Sequence, residues 1–298
     1  MRTPPDSRCR LCHGSTLRRL RTFVVDSSDG QNLELCTCRV CSALALEPQP
    51  SETLLQAQYA EYFERRSRTD PRSKVSYFRW LLARLDLPLD GARIFEPGAG
   101  EGNLVRALNA VYATADVTVA EPLWRDSDAS DLRVRVVPES FDAFVKSYEG
   151  ARFNFIFMLD FLEHVRDPLA VLAAANDLLA PGGKIIVTTP NADAFGRRLF
   201  GVLWPQYKVE HLFYFSRASL VSMAAEVGLR IDVLSTHVKR LPVGYLLNVG
   251  SAFGPQLFQR ASRRLASALG PSFTDVNVVA PFGEWLCVLE RPRDDVPL

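Results

Sequence analysis

The chain has 298 residues, of which 47% are hydrophobic and 23% charged, and its formal net charge is +1. That composition excludes a disordered chain and leaves room for one sizeable core and a smaller annex. The near-neutral balance disfavours a bulk attraction to nucleic acid, although a local basic patch can sit inside a balanced total.

The start, Met1-Arg2-Thr3-Pro4-Pro5-Asp6, lacks the apolar run of a signal peptide. No stretch reaches the ~18 apolar residues expected of a membrane span, so the expectation is a cytoplasmic protein without a transmembrane segment. Five of the six cysteines follow at once, as Cys9-Arg10-Leu11-Cys12 and Cys36-Thr37-Cys38-Arg39-Val40-Cys41. A C-x-x-C turn presents two thiolates from one tight loop, and tetrahedral Zn²⁺ takes four. Cys9, Cys12, Cys38 and Cys41 are the expected ligands of a structural Zn²⁺, with His13 and Cys36 as spares. Thr22 to Asp26 and Leu33 to Leu35 read as hairpin strands, with Ser27-Ser28-Asp29-Gly30 as the turn. Residues 1–47 thus look like a zinc ribbon. Redox cysteines or disulfides are the alternative, disfavoured without an export signal. Four protein ligands leave no open position for chemistry at the metal.

Residues 48–90 read as a helical linker or cap. Ser51 can cap a helix in which Leu54, Leu55, Tyr59 and Tyr62 recur at helical spacing, a second helix is expected from about Ser73 to Asp86, and Pro88-Leu89-Asp90-Gly91 turns the chain onward.

Next comes Ile94-Phe95-Glu96-Pro97-Gly98-Ala99-Gly100-Glu101-Gly102, a buried strand running into a glycine turn that opens a helix. Glycines let the backbone turn sharply and approach a ligand, and the helix start points free N–H groups into the same space. A dinucleotide fingerprint needs G-x-G-x-x-G, whereas here the third glycine comes one residue early; a P-loop is excluded because no Gly-Lys-Ser/Thr follows. With Glu96 at the strand end, the stretch resembles the first motif of class I S-adenosylmethionine-dependent methyltransferases, (Asp/Glu)-x-G-x-G-x-G. The resemblance continues through Val117-Thr118-Val119-Ala120-Glu121, a strand ending in a carboxylate, the strand Phe153 to Leu159 with Asp160-Phe161-Leu162-Glu163-His164-Val165, and Leu178-Leu179-Ala180-Pro181-Gly182-Gly183-Lys184 before the strand Ile185 to Thr189. It covers residues 90 to 235.

Strands and helices alternate here, which argues for a parallel sheet with helices on both faces. The expected strands include Arg133 to Val137, Arg230 to Leu234 and Trp285 to Leu289; the expected helices include Pro168 to Leu179 and Arg217 to Val227. The fold class is therefore α/β, a doubly wound Rossmann-like methyltransferase sheet with a small N-terminal zinc-binding β annex. Residues 91–298 are expected to be the methyltransferase domain, with substrate-side insertions at about 190–215 and 240–280. The segment Leu241 to Leu269, apolar on one side and bearing Arg260, Arg263 and Arg264, reads as a lid or covering helix, with a dimer contact or membrane-surface helix as alternatives.

The resemblance implies S-adenosyl-L-methionine as cofactor and a small-molecule methyl acceptor. Gly98, Gly100 and Gly102 would give backbone access, Glu96 would approach the methionine amino end, and Glu121 would accept the ribose hydroxyls. Ser140 and Phe141 occupy the adenine-contacting region, with Glu139 or Asp142 as substitutes, and Leu159 and Asp160 would line the cleft. An aromatic segment closes over the cofactor in many relatives, a role open to Tyr59, Tyr62 and Phe63 beside ordinary helix packing. His164 is a catalytic candidate or a supporting histidine. His211, in the insertion where relatives place their acceptor pocket, is a base, a substrate anchor or a loop-fixing residue. Trp204, Tyr207 and Tyr214 would supply apolar walls. Comparable cysteine-rich heads occur on methyltransferases of sugars and other metabolites and on ribosomal RNA methyltransferases, so an RNA methyltransferase and a non-catalytic cofactor-binding scaffold remain as alternatives.

Overall fold

The computed structural model describes residues 8–14, 17–24, 32–66, 71–124, 131–201, 204, 206–252, 256–269 and 276–292. The expected turn Ser27 to Gly30 lies outside them. A seven-stranded sheet dominates, in the order β10-β11-β8-β7-β4-β5-β6. Its strands are β4 (Arg93–Pro97), β5 (Asp116–Ala120), β6 (Arg135–Val137), β7 (Phe153–Leu159), β8 (Leu179–Pro190), β10 (Arg230–Pro242) and β11 (Asn277–Glu290). The strands run parallel except β11, which pairs antiparallel with both β8 and β10. This is the α/β Rossmann-like methyltransferase fold. The chain leaves β4 toward β5 and β6, then returns to lay β7 on the other side of β4, so the crevice beyond these two strands is the topological switch point.

Alternation along each strand sends successive residues to opposite faces. Ile94, Phe155, Phe157, Ile186 and Leu286 enter one core, packed under α2 (Pro71–Leu85) and α3 (Asn103–Val111) through Leu82, Leu104, Val105 and Leu108. Phe95, Ile156, Met158, Ile185 and Val187 enter the other, beneath α4 (Phe141–Ser147), α5 (Pro168–Leu178) and α7 (Arg217–Glu226). There Phe95 stacks on Phe144 at 4.5 Å and on Phe153 at 5.1 Å, each buried ring contributing roughly 2–3 kcal/mol. The helix starts follow local chemistry. Ser51 accepts from the Leu54 N–H at the head of α1 (Glu52–Arg66), Asp167 caps α5 ahead of Pro168, and Ser216 with Ser219 forms a capping box on α7.

A second, four-stranded sheet runs β1-β2-β3-β9, from β1 (Leu17–Val24), β2 (Asn32–Cys38), β3 (Leu44–Glu47) and β9 (Phe213–Tyr214). Its fourth strand comes from the segment after β8, with Leu44 opposite Tyr214 and Ala45 opposite Phe213. Leu33, Leu35, Leu44 and Leu46 share a core with Leu54 of α1 and with Trp204 and Tyr214. The cysteine-bearing head is thus joined to the rest by a ladder and a common core.

Two strands are longer than the sequence pattern suggests. β10 and β11 run on past the edge of β8 as a two-stranded arm, from Val238 opposite Pro281 to Pro242 opposite Asn277. Their inward positions include His237 and Glu284, both buried, so the apolar alternation that marks a strand is interrupted. Beyond the arm, Leu241 and Pro242 end β10, and α8 (Val243–Ala252) and α9 (Gln256–Ala268) pack on each other. No helix among the described residues is long and apolar enough to cross a membrane.

Candidate active site

The glycine turn follows β4 at the switch point. Gly98, Gly100 and Gly102 have φ of +68°, +57° and +68°, a region side chains disfavour. A Cβ at Gly98 would sit 2.7 Å from Phe161, and one at Gly102 would sit 2.5 Å from Trp124. The turn is fixed by Gly98 N–H donating to the Ala120 carbonyl and Gly102 N–H to that of Ala99, both at 2.9 Å. Glu96 and Glu121 are each 6% exposed at the ends of β4 and β5. Glu121 accepts from the Gly100 N–H at 2.8 Å and the Leu123 N–H at 3.0 Å, which locks the carboxylate against the turn. A carboxylate offers about four acceptor positions, so Glu121 retains capacity for two hydroxyls. The tight left-handed turn and the buried carboxylate beside it, with acceptor positions to spare, fit a nucleoside cofactor.

Ser140 and Phe141 lie at the start of α4, after β6. The Ser140 hydroxyl accepts from the Ala143 N–H at 3.3 Å, and the Phe141 ring packs between Phe95 and Phe161. Leu159 ends β7. Asp160 follows with φ +50°, a strained conformation for a residue with a side chain. Its N–H donates to the Thr188 carbonyl at 2.9 Å, and the Thr188 hydroxyl donates to its Oδ1 at 3.1 Å.

The opposite wall is made by residues that the sequence reading did not single out. Lys239 Nζ lies 3.3 Å from Asp160 Oδ2 and 2.6 Å from Glu284 Oε2, and Gln206 Nε2 donates to Glu284 Oε1 at 3.0 Å. Tyr77 of α2 is hydrogen-bonded to His237 Nε2 at 2.5 Å. Crowding by the cleft walls works to raise the Asp160 carboxyl, but Lys239, the Thr188 bond and His237 outweigh it and hold it below the usual carboxylate range. Burial opposes the charge on Lys239, yet Asp160 and Glu284 keep its ammonium protonated well beyond the usual lysine range. Burial, then Lys239, brings His237 down to about 4, and burial pushes the Tyr77 hydroxyl up, away from ionisation.

His164 and His211 meet at the back of the cleft, their rings edge to face at 4.9 Å. His164 Nδ1 donates to the Glu210 carbonyl at 2.9 Å, and the Tyr59 hydroxyl lies 3.5 Å from the same nitrogen. The side chains of Tyr62 and Phe63 lie outside the described residues. His211 is buried, and burial followed by His164 and Lys208 pushes it well below the usual histidine range. Glu163 accepts from the Thr189 hydroxyl at 2.9 Å, and burial, then Asp160, pushes its carboxyl well up from the usual range. Glu163, His164 and His211 bring ligand atoms within 4.8 Å of one another, close enough to share a cation. Trp204, Tyr207 and Tyr214 form a cluster of edge-on and tilted rings beside them.

In the head, Cys9, Cys12, Cys38 and Cys41 also converge within 4.8 Å. Cys9 and Cys41 lie 3.7 Å apart and Cys12 and Cys38 3.6 Å, against the roughly 3.8 Å between sulfurs on a tetrahedral Zn²⁺ with bonds of about 2.3 Å. The Val40 N–H donates to Cys38 Sγ at 3.3 Å. The four thiols therefore fit such an ion. His13 instead contacts Glu226 at 3.1 Å, and Cys36 lies on β2, its thiol pushed up by burial to about 11.

Fold and site together define an S-adenosylmethionine-dependent methyltransferase. The chain belongs to the methyltransferase domain family, whose pattern matches residues 56–234, more than half of its length. Among curated relatives, the ubiquinone biosynthesis O-methyltransferase of Thiobacillus denitrificans is 27% identical over 173 residues, 53% of this chain and 72% of that one. The protein of the same name from Cereibacter sphaeroides is 30% identical over 128 residues, 40% of this chain and half of that one. The solved structure of Burkholderia thailandensis 1,6-didemethyltoxoflavin-N1-methyltransferase, with S-adenosylhomocysteine bound, is 14% identical with a TM-score of 0.49, covering 91% of this chain and 99% of that one.

Proposed function

We propose that the protein transfers the methyl group of S-adenosylmethionine to an oxygen of a small molecule, with a structural zinc ion in its head. The observation that carries the cofactor part is the buried Glu121 carboxylate locked onto the Gly100 N–H. Glu96, Gly98, Gly100, Gly102 and Glu121 hold the cofactor in this reading, with Ser140 and Phe141 bordering the base and Leu159 and Asp160 bordering the sulfur. Oxygen as the acceptor atom is supported by the names of the curated relatives, and a small acceptor by the near-neutral charge.

When bound, the cofactor supplies a sulfonium-activated methyl for in-line displacement, so the protein's task is alignment and exclusion of water. His211 and His164, kept neutral by burial, anchor the insertion against the acceptor side; the depressed basicity of His211 favours an anchoring role over proton removal. Cys9, Cys12, Cys38 and Cys41 hold the zinc, which has no open position for chemistry.

Calorimetric titration tests the cofactor assignment. Wild type is expected to bind S-adenosylmethionine and S-adenosylhomocysteine saturably and to ignore nicotinamide dinucleotides. Glu121→Ala is expected to weaken both by about 2–3 kcal/mol, some 30- to 150-fold. Unchanged affinity in that variant would overturn the role of Glu121, and absence of binding by wild type would overturn the cofactor.

A further inference from the structure

Asp160 stands where the two halves of the cleft meet. The next residue, Phe161, packs on Gly98 of the cofactor turn, while the Asp160 carboxylate reaches the other way to Lys239 on β10. Lys239 sits between two carboxylates of different character. Glu284 is 6% exposed and tied to Gln206, whereas Asp160 is 51% exposed and open to the cleft. A surface ion pair is a poor argument for anything, but the Lys239 side chain is only 18% exposed, and the backbone is shaped around it. Between His237 and Val238 the β10–β11 register shifts, two additional residues of β11 being accommodated at 282 and 283, with Gly283 at φ +87°. Bulges of this kind re-aim side chains beside active sites. Together with the left-handed φ at Asp160, two local irregularities bring one ammonium and one accessible carboxylate to the carboxyl edge of the sheet, next to the cofactor turn. An ammonium has three donors, of which Asp160 and Glu284 account for two.

We infer that Asp160 and Lys239 are the acceptor-side catalytic pair: the accessible Asp160 carboxylate takes the hydrogen of an acidic hydroxyl, while Lys239 stabilises the negative charge on that hydroxyl oxygen. This rests on the methyl-transfer reading above. The step balances: a lone pair of the acceptor oxygen forms the O–C bond as the C–S bond breaks and returns its pair to sulfur. The hydroxyl proton passes to Asp160 and from its exposed side to water, and Lys239 keeps its proton throughout. A carboxylate suffices as base because the proton need leave only as the methyl arrives, when the oxygen has become strongly acidic. The titratable groups facing Asp160 are Lys239 and His237 from β10, Glu284 from β11, Glu163 from the turn after β7 and Tyr77 from α2.

The test uses the full, zinc-replete chain saturated with S-adenosylhomocysteine and titrated with 4-nitrocatechol, whose visible absorbance reports its ionisation. Wild type is expected to bind the probe and raise its ionisation constant by about tenfold or more, as a cation within a few ångströms does. Lys239→Met should abolish that increase and Lys239→Arg should retain it. Probe left un-ionised by wild type, or ionised equally by Lys239→Met, overturns the inference. Asp160→Asn, which leaves the Lys239–Glu284 pair in place, should still ionise the probe but methylate catechol from S-adenosylmethionine about a hundredfold more slowly; methylation at the wild-type rate, or none by wild type, also overturns it. Failure of wild type to bind S-adenosylhomocysteine would instead sink the cofactor reading on which it rests.

Discussion

The two walls of the cleft are built by opposite means. The cofactor side is largely local: Glu96 to Gly102 is one strand end and one turn, tied to Ala120 and Glu121 at the end of the neighbouring strand and, through Glu101, to Lys74 of α2. The acceptor side is assembled from distant pieces, with Tyr77, Asp160, Gln206, Lys239 and Glu284 on five different segments. A shared cofactor can be gripped by backbone geometry. An acceptor is recognised by side chains that can be exchanged one at a time, and the two demands are met here by separate construction.

The sharpest way to break this contrast is to remove what holds the acceptor side in place. Stripping the metal from the four cysteines is expected to lower the thermal midpoint by at least several degrees, since folding energy is coupled to ligation in such sites. The loss should spread to the insertion, because Leu46 N–H donates to the Leu212 carbonyl and Leu212 N–H to that of Glu163. Metal content by atomic absorption should be one zinc per chain, and hydrogen exchange should show residues 212–216 losing protection while 96–102 keep theirs. Equal loss in both would erase the distinction between the walls.

Acid is the next probe. His237 is held near 4 in the folded chain against 6.5 for the free side chain, so its contribution is present above 6.5 and lost as pH falls toward 4. The depression is worth about 3 kcal/mol, and His164 and His211, also depressed, add in the same direction. Unfolding free energy should fall between pH 6.5 and 4, and His237→Gln should flatten that limb. A third, smaller effect belongs to the cofactor side: Gly98→Ala should cost about 1–2 kcal/mol, from the left-handed φ and the collision with Phe161, read in denaturant melts. The smallest is Ser216→Ala, which removes the α7 cap and the bond from its hydroxyl to the Cys41 carbonyl and should cost about 1 kcal/mol.

The same contrast explains what could be read from the sequence. Strand, glycine turn and carboxylate are contiguous signals, so β4, β5, β7 and β8 and the turn at Gly98 to Gly102 were all legible. The paired cysteine turns were equally local, and the four sulfurs do converge. By contrast, Ser235 to Arg240 carries polar side chains on its inward face, and no periodicity marks it as strand. Lys239 became significant only when the fold set it beside Asp160, 79 positions earlier. The two-residue strand Phe213–Tyr214 is too short to announce itself, and only its pairing with β3 gives it meaning.

That pairing also has a consequence for the order of events during synthesis. The head is translated before the insertion, so β3 lacks its neighbour until Phe213 and Tyr214 appear, some 170 residues later. At roughly 5–20 residues per second, the edge of β3 waits on the order of 10–30 s before it is covered. An uncovered edge invites pairing with other chains, so the head, translated well ahead of the strand that covers it, is a segment that nascent-chain chaperones have long reason to shield.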